Sequence, residues 1–192
     1  GYAGGQSIGF TIDAATWEAA AGKDYTFLVR TSYGGKVAER VEGHAKIDGA
    51  TGYVDFVQPE KKRVDLETGT IFPMQHTEQV MNAARAGTKF VRAMVFDGFT
   101  DGGSQFVTAI VGSREAPPRK VLDDFPALRD LAAWTVSLAF FPQDATATEP
   151  DSEIGMKMMD NGVAAWMDMD FGDFRLRGDL AKLKIHEAPV CK

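Results

Sequence analysis

The chain carries a single cysteine, at position 191 of 192. A disulfide framework within this sequence is therefore excluded. Cys191 has two readings: a surface thiol, or one half of a bridge whose partner lies in chain not present here. Histidine is nearly as scarce. His44, His76 and His186 stand far apart and share no metal-ligand spacing, so neither a metal nor a cofactor is expected. Long apolar runs are missing too. The longest candidate, Leu131 to Phe141, is interrupted by Thr135 and Ser137 and falls short of the roughly 18 residues that a membrane-crossing helix requires. Positive charge is in deficit, with 21 Lys and Arg against 27 Asp and Glu, a net charge of −6. That balance argues against a nucleic-acid partner and against a polybasic membrane patch. The start, Gly1-Tyr2-Ala3, has no methionine and no secretory apolar region, so it indicates no compartment.

Catalytic signatures are equally absent. There is no Gly-x-Ser-x-Gly elbow, no phosphate loop and no dinucleotide fingerprint. Asp168-Met169-Asp170-Phe171-Gly172-Asp173 resembles a calcium loop but lacks the twelve-residue ligand pattern and its final Glu. Alternation places Asp168 and Asp170 on one strand face, where Arg175 and Arg177 of the next strand pair with them as exposed charges. Asp123-Asp124 has no general-base partner nearby in sequence. The residues alone therefore show no visible chemistry.

What is present is strand alternation, interrupted once. At 44% hydrophobic and 25% charged residues, the composition supports a single folded domain over 1–192. Tyr25 to Tyr33 and Lys36 to Ile47 read as a hairpin about Gly34-Gly35, a dipeptide that accepts positive φ at both positions. Strands follow at Tyr53 to Val57 and Val64 to Leu66, and the alternation breaks at Gly69-Thr70-Ile71-Phe72-Pro73-Met74-Gln75-His76-Thr77. A helix is expected over 76–86, capped by His76 or Thr77, with Val80, Met81 and Ala84 on one face and Gly87 closing it. Alternation returns at Lys89 to Phe96, Gln105 to Val111 and Trp134 to Phe141. Between the last two, Glu115 to Lys120 reads as a linker and Ala127 to Asp130 as one helical turn. Glu153 to Met159 and Val163 to Phe171 form a second hairpin about Asn161-Gly162, and Phe174 to Leu180 returns. That is about ten strands, all joined by short connections and therefore antiparallel.

The second hairpin is rich in methionine: Met156, Met158, Met159, Met167 and Met169. Methionine is flexible and polarizable, and suits either an adaptable core beneath the helix or a groove for an acyl chain. In the groove reading, Met156, Met158, Met167, Met169, Trp134, Trp166 and Phe171 are the lining.

Several segments together resemble the EipB family. They are Gly69 to Thr77, Val95-Phe96-Asp97-Gly98, Leu138-Ala139-Phe140-Phe141-Pro142, Asn161-Gly162 and Phe171-Gly172-Asp173-Phe174, preceded by Thr16-Trp17-Glu18 and Gly22 to Leu28. The likeness runs over about residues 10–191. It implies a mainly β fold, a curled antiparallel sheet (a β-spiral, half-barrel-like) with one main helix. It also implies a periplasmic protein associated with cell-envelope integrity, without enzymatic activity, whose partners are envelope proteins or lipid. The family's disulfide joins an early cysteine to one near the C-terminus. Cys191 matches the late position, while the early region and its first strands have no counterpart before Gly1. An edge left open there would favour strand-edge self-association. Three readings follow: an envelope scaffold or binder; a carrier or sensor holding a lipid or lipoprotein acyl chain in the concave face; and a hydrolase whose site residues are not visible in the sequence, for which a deep polar pocket gathering Asp97, His76 or Asp123 would be the sign.

Overall fold

The computed structural model describes residues 2–3, 6–7, 10–19, 21–99, 102–129, 133–141, 148–170 and 175–180. Two short strands, β1 (Tyr2–Ala3) and β2 (Gln6–Ser7), pair with each other. Next come β3 (Phe10–Glu18), β4 (Asp24–Tyr33), β5 (Lys36–Asp48), β6 (Thr51–Gln58) and β7 (Lys62–Leu66), which form a five-stranded antiparallel sheet in sequence order. Helix α1 (Pro73–Arg85) follows. A six-stranded antiparallel sheet then takes up β8 (Phe90–Val95), β9 (Gln105–Glu115), β10 (Ala133–Phe141), β11 (Ser152–Met159), β12 (Ala164–Asp170) and β13 (Arg175–Asp179). A short helix, α2 (Arg119–Asp124), and a 3-10 turn at Pro126–Leu128 lie between β9 and β10. The protein is thus mainly β, built of two unclosed antiparallel sheets with few helices.

Both expected hairpins form. Gly34 and Gly35 turn β4 into β5 at φ of 57° and 80°, and Gly162, at φ of 82°, turns β11 into β12. Strand β3 has no counterpart in the sequence reading. Ala14, Ala15 and Asp13 dilute its β-branched Thr11, Ile12 and Thr16, and most of its residues are exposed, so the apolar alternation is weak. Ahead of β10, the short helix lies at 119–124 and the 3-10 turn at 126–128, earlier than the turn expected at 127–130. Val121 is buried there, and this anchors a stretch that read as a linker.

Three cores hold these elements. Tyr25, Phe27, Phe56, Phe72 and Phe96 form an aromatic cluster between the five-stranded sheet and the chain on either side of α1. Tyr25 stacks on Phe72 at 5.2 Å, and Phe27 meets Phe96 edge-on at 5.4 Å, arrangements that such rings prefer. Phe27 sits in a glycine socket. A Cβ on Gly43 would lie 2.7 Å from its ring, and one on Gly98 2.6 Å. The second core sets Val80, Met81 and Ala84 of α1 on Ala109, Val111, Val136, Met156 and Met158 of the six-stranded sheet. Burial of a Val or Met side chain contributes roughly 1.5–3 kcal/mol, and this docking stabilises a helix that is marginal alone. Since neighbouring strand residues point to opposite faces, the third core lies on the other face of that sheet. It joins Met159, Ala133 and Ala165 to Val121 and Leu128.

Candidate functional site at the junction of the sheets

The segment that breaks the alternation stitches the two sheets together. Ile71 makes a parallel bridge with Val95. Its N–H donates to the Met94 carbonyl at 2.9 Å, and its carbonyl accepts from Phe96 N–H at 3.1 Å. One residue earlier, buried Thr70 donates its hydroxyl to the Glu67 carbonyl at 2.6 Å, and Ser104 Oγ lies 2.6 Å from the same hydroxyl. The helix starts immediately afterwards. Phe72 is its N-cap and Pro73 its first residue, a position where the missing N–H costs nothing and the ring pre-sets φ. The expected span of 76–86 is therefore corrected at its start, because Pro73 opens the helix as well as ending the extended chain. At the far end, Gly87 takes the expected positive φ of 75°.

The cap itself was not foreseen. Phe72 has no side-chain acceptor, and neither His76 nor Thr77 supplies one. Instead Glu18, at the end of β3, accepts Met74 N–H at 2.7 Å and Gln75 N–H at 3.2 Å through its two carboxylate oxygens. Gln75 Oε1 accepts Phe72 N–H at 3.4 Å. A carboxylate is the favoured group at the positive end of a helix. Gly22 allows the approach, since a Cβ there would overlap the Gln75 side chain.

His76 lies on the buried stripe of α1, one turn after Phe72 and one before Val80. It is 6% exposed, and its Nε2 has no hydrogen-bond partner among the described residues. Burial lowers its pKa, so the ring is neutral. Asp97 lies beyond the Ile71 bridge. Burial raises the pKa of its carboxyl, while Phe99 N–H at 3.0 Å and Gln105 Nε2 at 3.1 Å donate to it. The Tyr25 hydroxyl donates to the Asp97 carbonyl at 2.8 Å, and burial raises the Tyr25 pKa as well. No hydrogen bond joins His76 to Asp97 among the described residues, and Asp123 is exposed on α2. The three residues of the hydrolase reading do not form a described acid–base pair. The arrangement is a polar seam that locks helix and sheets in register.

The groove residues separate. Met156, Met158 and half-buried Trp134 pack beneath α1, in the core reading of the methionines. Met167 pairs with Met156 and Met169 with Ile154, so both share that face beyond the helix; Met167 is 38% exposed. Trp166, their alternate neighbour, points to the opposite face. Trp134 Nε1 donates to Asp160 Oδ1 at 2.8 Å. Asp160 Oδ2 accepts from Arg114 at 2.7 Å, and the Asp160 carbonyl accepts from Arg85 of α1 at 2.7 Å. Asp168 is buried, in contrast to the exposed pairing expected. Its cross-strand partner Arg177 reaches it at 3.3 Å. Phe171, Cys191 and His186 lie outside the described residues, and a single cysteine leaves no bridge within this chain. Among the described residues there is no helix long and apolar enough to cross a membrane, and no cluster of metal-ligating side chains.

Comparison with known proteins agrees with the fold and with the family resemblance. The profile of the EipB-like family matches residues 1–187. The cell envelope integrity protein EipB of Brucella abortus (strain 2308) is 33% identical over 177 residues, which is 90% of this chain and 62% of that protein. The chain thus spans less than two thirds of that relative. A crystal structure of a beta-barrel-like protein of a domain of unknown function, also from Brucella abortus, superposes with a TM-score of 0.84 at 30% identity. The match covers 94% of this chain and 75% of that one. The chain therefore belongs to the EipB-like family.

Proposed function

We propose that this protein maintains cell-envelope integrity from the periplasm, without catalysis, by scaffolding or by binding an envelope component. Its relative in Brucella abortus is named for that role. The observation that carries the mechanism is the plugged sheet. Val80, Met81 and Ala84 occupy the face of the six-stranded sheet that a carrier would keep open. The polar seam supports the same reading, because the carboxylates of Glu18 and Asp97 are engaged in hydrogen bonds that hold elements together. The test is a deletion strain challenged with detergent and chelator. A deletion strain that is sensitive, with resistance restored by the full-length gene and by variants at His76 and Asp97 that still fold, supports the proposal. Loss of complementation by a folded Asp97 variant would point to chemistry at the seam instead.

A second reading rests on the strip beyond the helix. Met167, Met169, Ile154 and Leu138 leave apolar surface half-covered on the α1 face. A lipid or lipoprotein acyl chain laid along it would make the protein a carrier or sensor. Native mass spectrometry after gentle purification separates the two: a co-purifying lipid supports the carrier, and its reproducible absence supports the scaffold.

A further inference from the structure

Among the described residues, the face of the six-stranded sheet opposite α1 is covered at one end only. There α2 and the 3-10 turn pack through Val121 and Leu128. At the other end, strands β8 to β10 present Phe90, Arg92, Met94, Phe106, Ile110 and Phe141, which alternation and register place on this face. Phe90 and Ile110 are cross-strand partners, exposed by 57% and 54%. The remaining outward positions at this end of β8 to β10 are Thr108, Ser137 and Ala139, with Glu153 of β11 next along the same row. An exposed antiparallel face ordinarily alternates to polar residues. The outward face of the five-stranded sheet does so, with His44, Asp55 and Arg63 in the row that begins at exposed Trp17.

Arg92 identifies the occupant. Its guanidinium lies over the rings of Phe106 at 4.6 Å and Phe141 at 5.8 Å. It makes no hydrogen bond or ion pair to a described residue, whereas Arg40, Arg63, Arg114 and Arg177 each meet a carboxylate. A guanidinium with unused donors matches the oxygens of a phosphate. Exposed aromatic and branched side chains beside it match the boundary between headgroups and acyl chains. A second copy of the face would set Arg92 near its own like charge, so charge disfavours it.

We propose that this face docks on an anionic lipid surface, with Phe90 and Ile110 entering the boundary layer and Arg92 binding a lipid phosphate. The proposal rests on the envelope reading only in needing a lipid surface within reach. It is tested on the purified full chain, apart from the strain experiment. In flotation with vesicles of phosphatidylcholine and phosphatidylglycerol, the wild type should float, and it should float less with phosphatidylcholine alone. The double variant Phe90→Ser with Ile110→Ser should bind about tenfold more weakly, and Arg92→Gln roughly fivefold more weakly, with a smaller salt dependence. Trp17→Ser, on the other sheet, should bind as wild type. Circular dichroism checks that each variant is folded. Wild-type protein that stays unbound with both vesicles overturns the proposal. So does folded double variant that floats like wild type, or a dimer in light scattering that the double variant abolishes.

Discussion

Glu18 accepts the backbone N–H of Met74 at 2.7 Å, across 56 residues of sequence. The end of β3 therefore serves as the cap of α1, and a change at either partner is felt by both. Glu18→Ala should lower stability by about 1 kcal/mol, and Glu18→Gln by less, since an amide oxygen still accepts while the charge is lost. Urea denaturation at low and high salt measures this. Equal midpoints for wild type and Glu18→Ala would show that the cap contributes nothing.

The glycine socket of Phe27 makes a second prediction. Gly98 has φ of 74° and also lacks room for a Cβ. Gly98→Ala adds left-handed strain to overpacking and should cost about 2–4 kcal/mol. Gly43→Ala, where a Cβ would also meet the Asp55 carbonyl, should cost about 1–3 kcal/mol. At Gly34 the φ is positive but nothing lies within 4 Å, so Gly34→Ala should cost only about 1 kcal/mol. Midpoints that rank Gly34 above Gly98 in cost would refute the socket.

His76 sets a pH dependence. Its folded pKa lies below the ordinary histidine value of 6.5, so the unfolded chain binds the extra proton. The stability it contributes is present above about pH 6.5 and is lost as pH falls from there through the folded pKa. Asp97 acts in the opposite sense. Its raised pKa means stability that is full below 3.8 and lost as pH rises through its folded value. His76→Leu should flatten the acid limb of a stability–pH curve without loss at neutral pH, because the orphaned Nε2 disappears with the ring. An unchanged acid limb would mean that His76 is not the group that titrates.

The methionines can be sorted by truncation. Met156→Ala and Met158→Ala remove buried core and should cost about 2–5 kcal/mol each. Met167→Ala removes a side chain that is 38% exposed and should cost under about 1 kcal/mol. Chemical denaturation gives the comparison. Similar small costs at all three positions would reopen the continuous groove.

The local signals were legible, and the distant ones were not. Asn161-Gly162 and Gly34-Gly35 announced their hairpins because a tight turn depends on its own two residues. Val80, Met81 and Ala84 announced the buried stripe because its period is local. Strand β3 stayed hidden because its apolar alternation is weak. Pro73 misled because one ring both ends an extended segment and begins a helix. The Glu18 cap and the burial of Asp168 depend on chain brought from elsewhere in the fold, which no window of sequence contains. The candidate seam was marked by its segment, Gly69 to Thr77, while the partners that give it meaning, Glu18, Tyr25 and Ser104, were not.

The Ile71 bridge also governs the order of assembly. Within both larger sheets every strand pairs with its neighbour in sequence, so each can form as a local meander with little loop closure, the topology that folds quickly. Contacts across the seam, from Glu18 to Met74 and from Tyr25 to Asp97, can form only once both meanders exist. Interactions made that late fall after the transition state for each sheet. A lesion at the seam should therefore leave the refolding rate nearly unchanged and accelerate unfolding. Persistence of the native state, more than the speed of reaching it, is what this short segment controls.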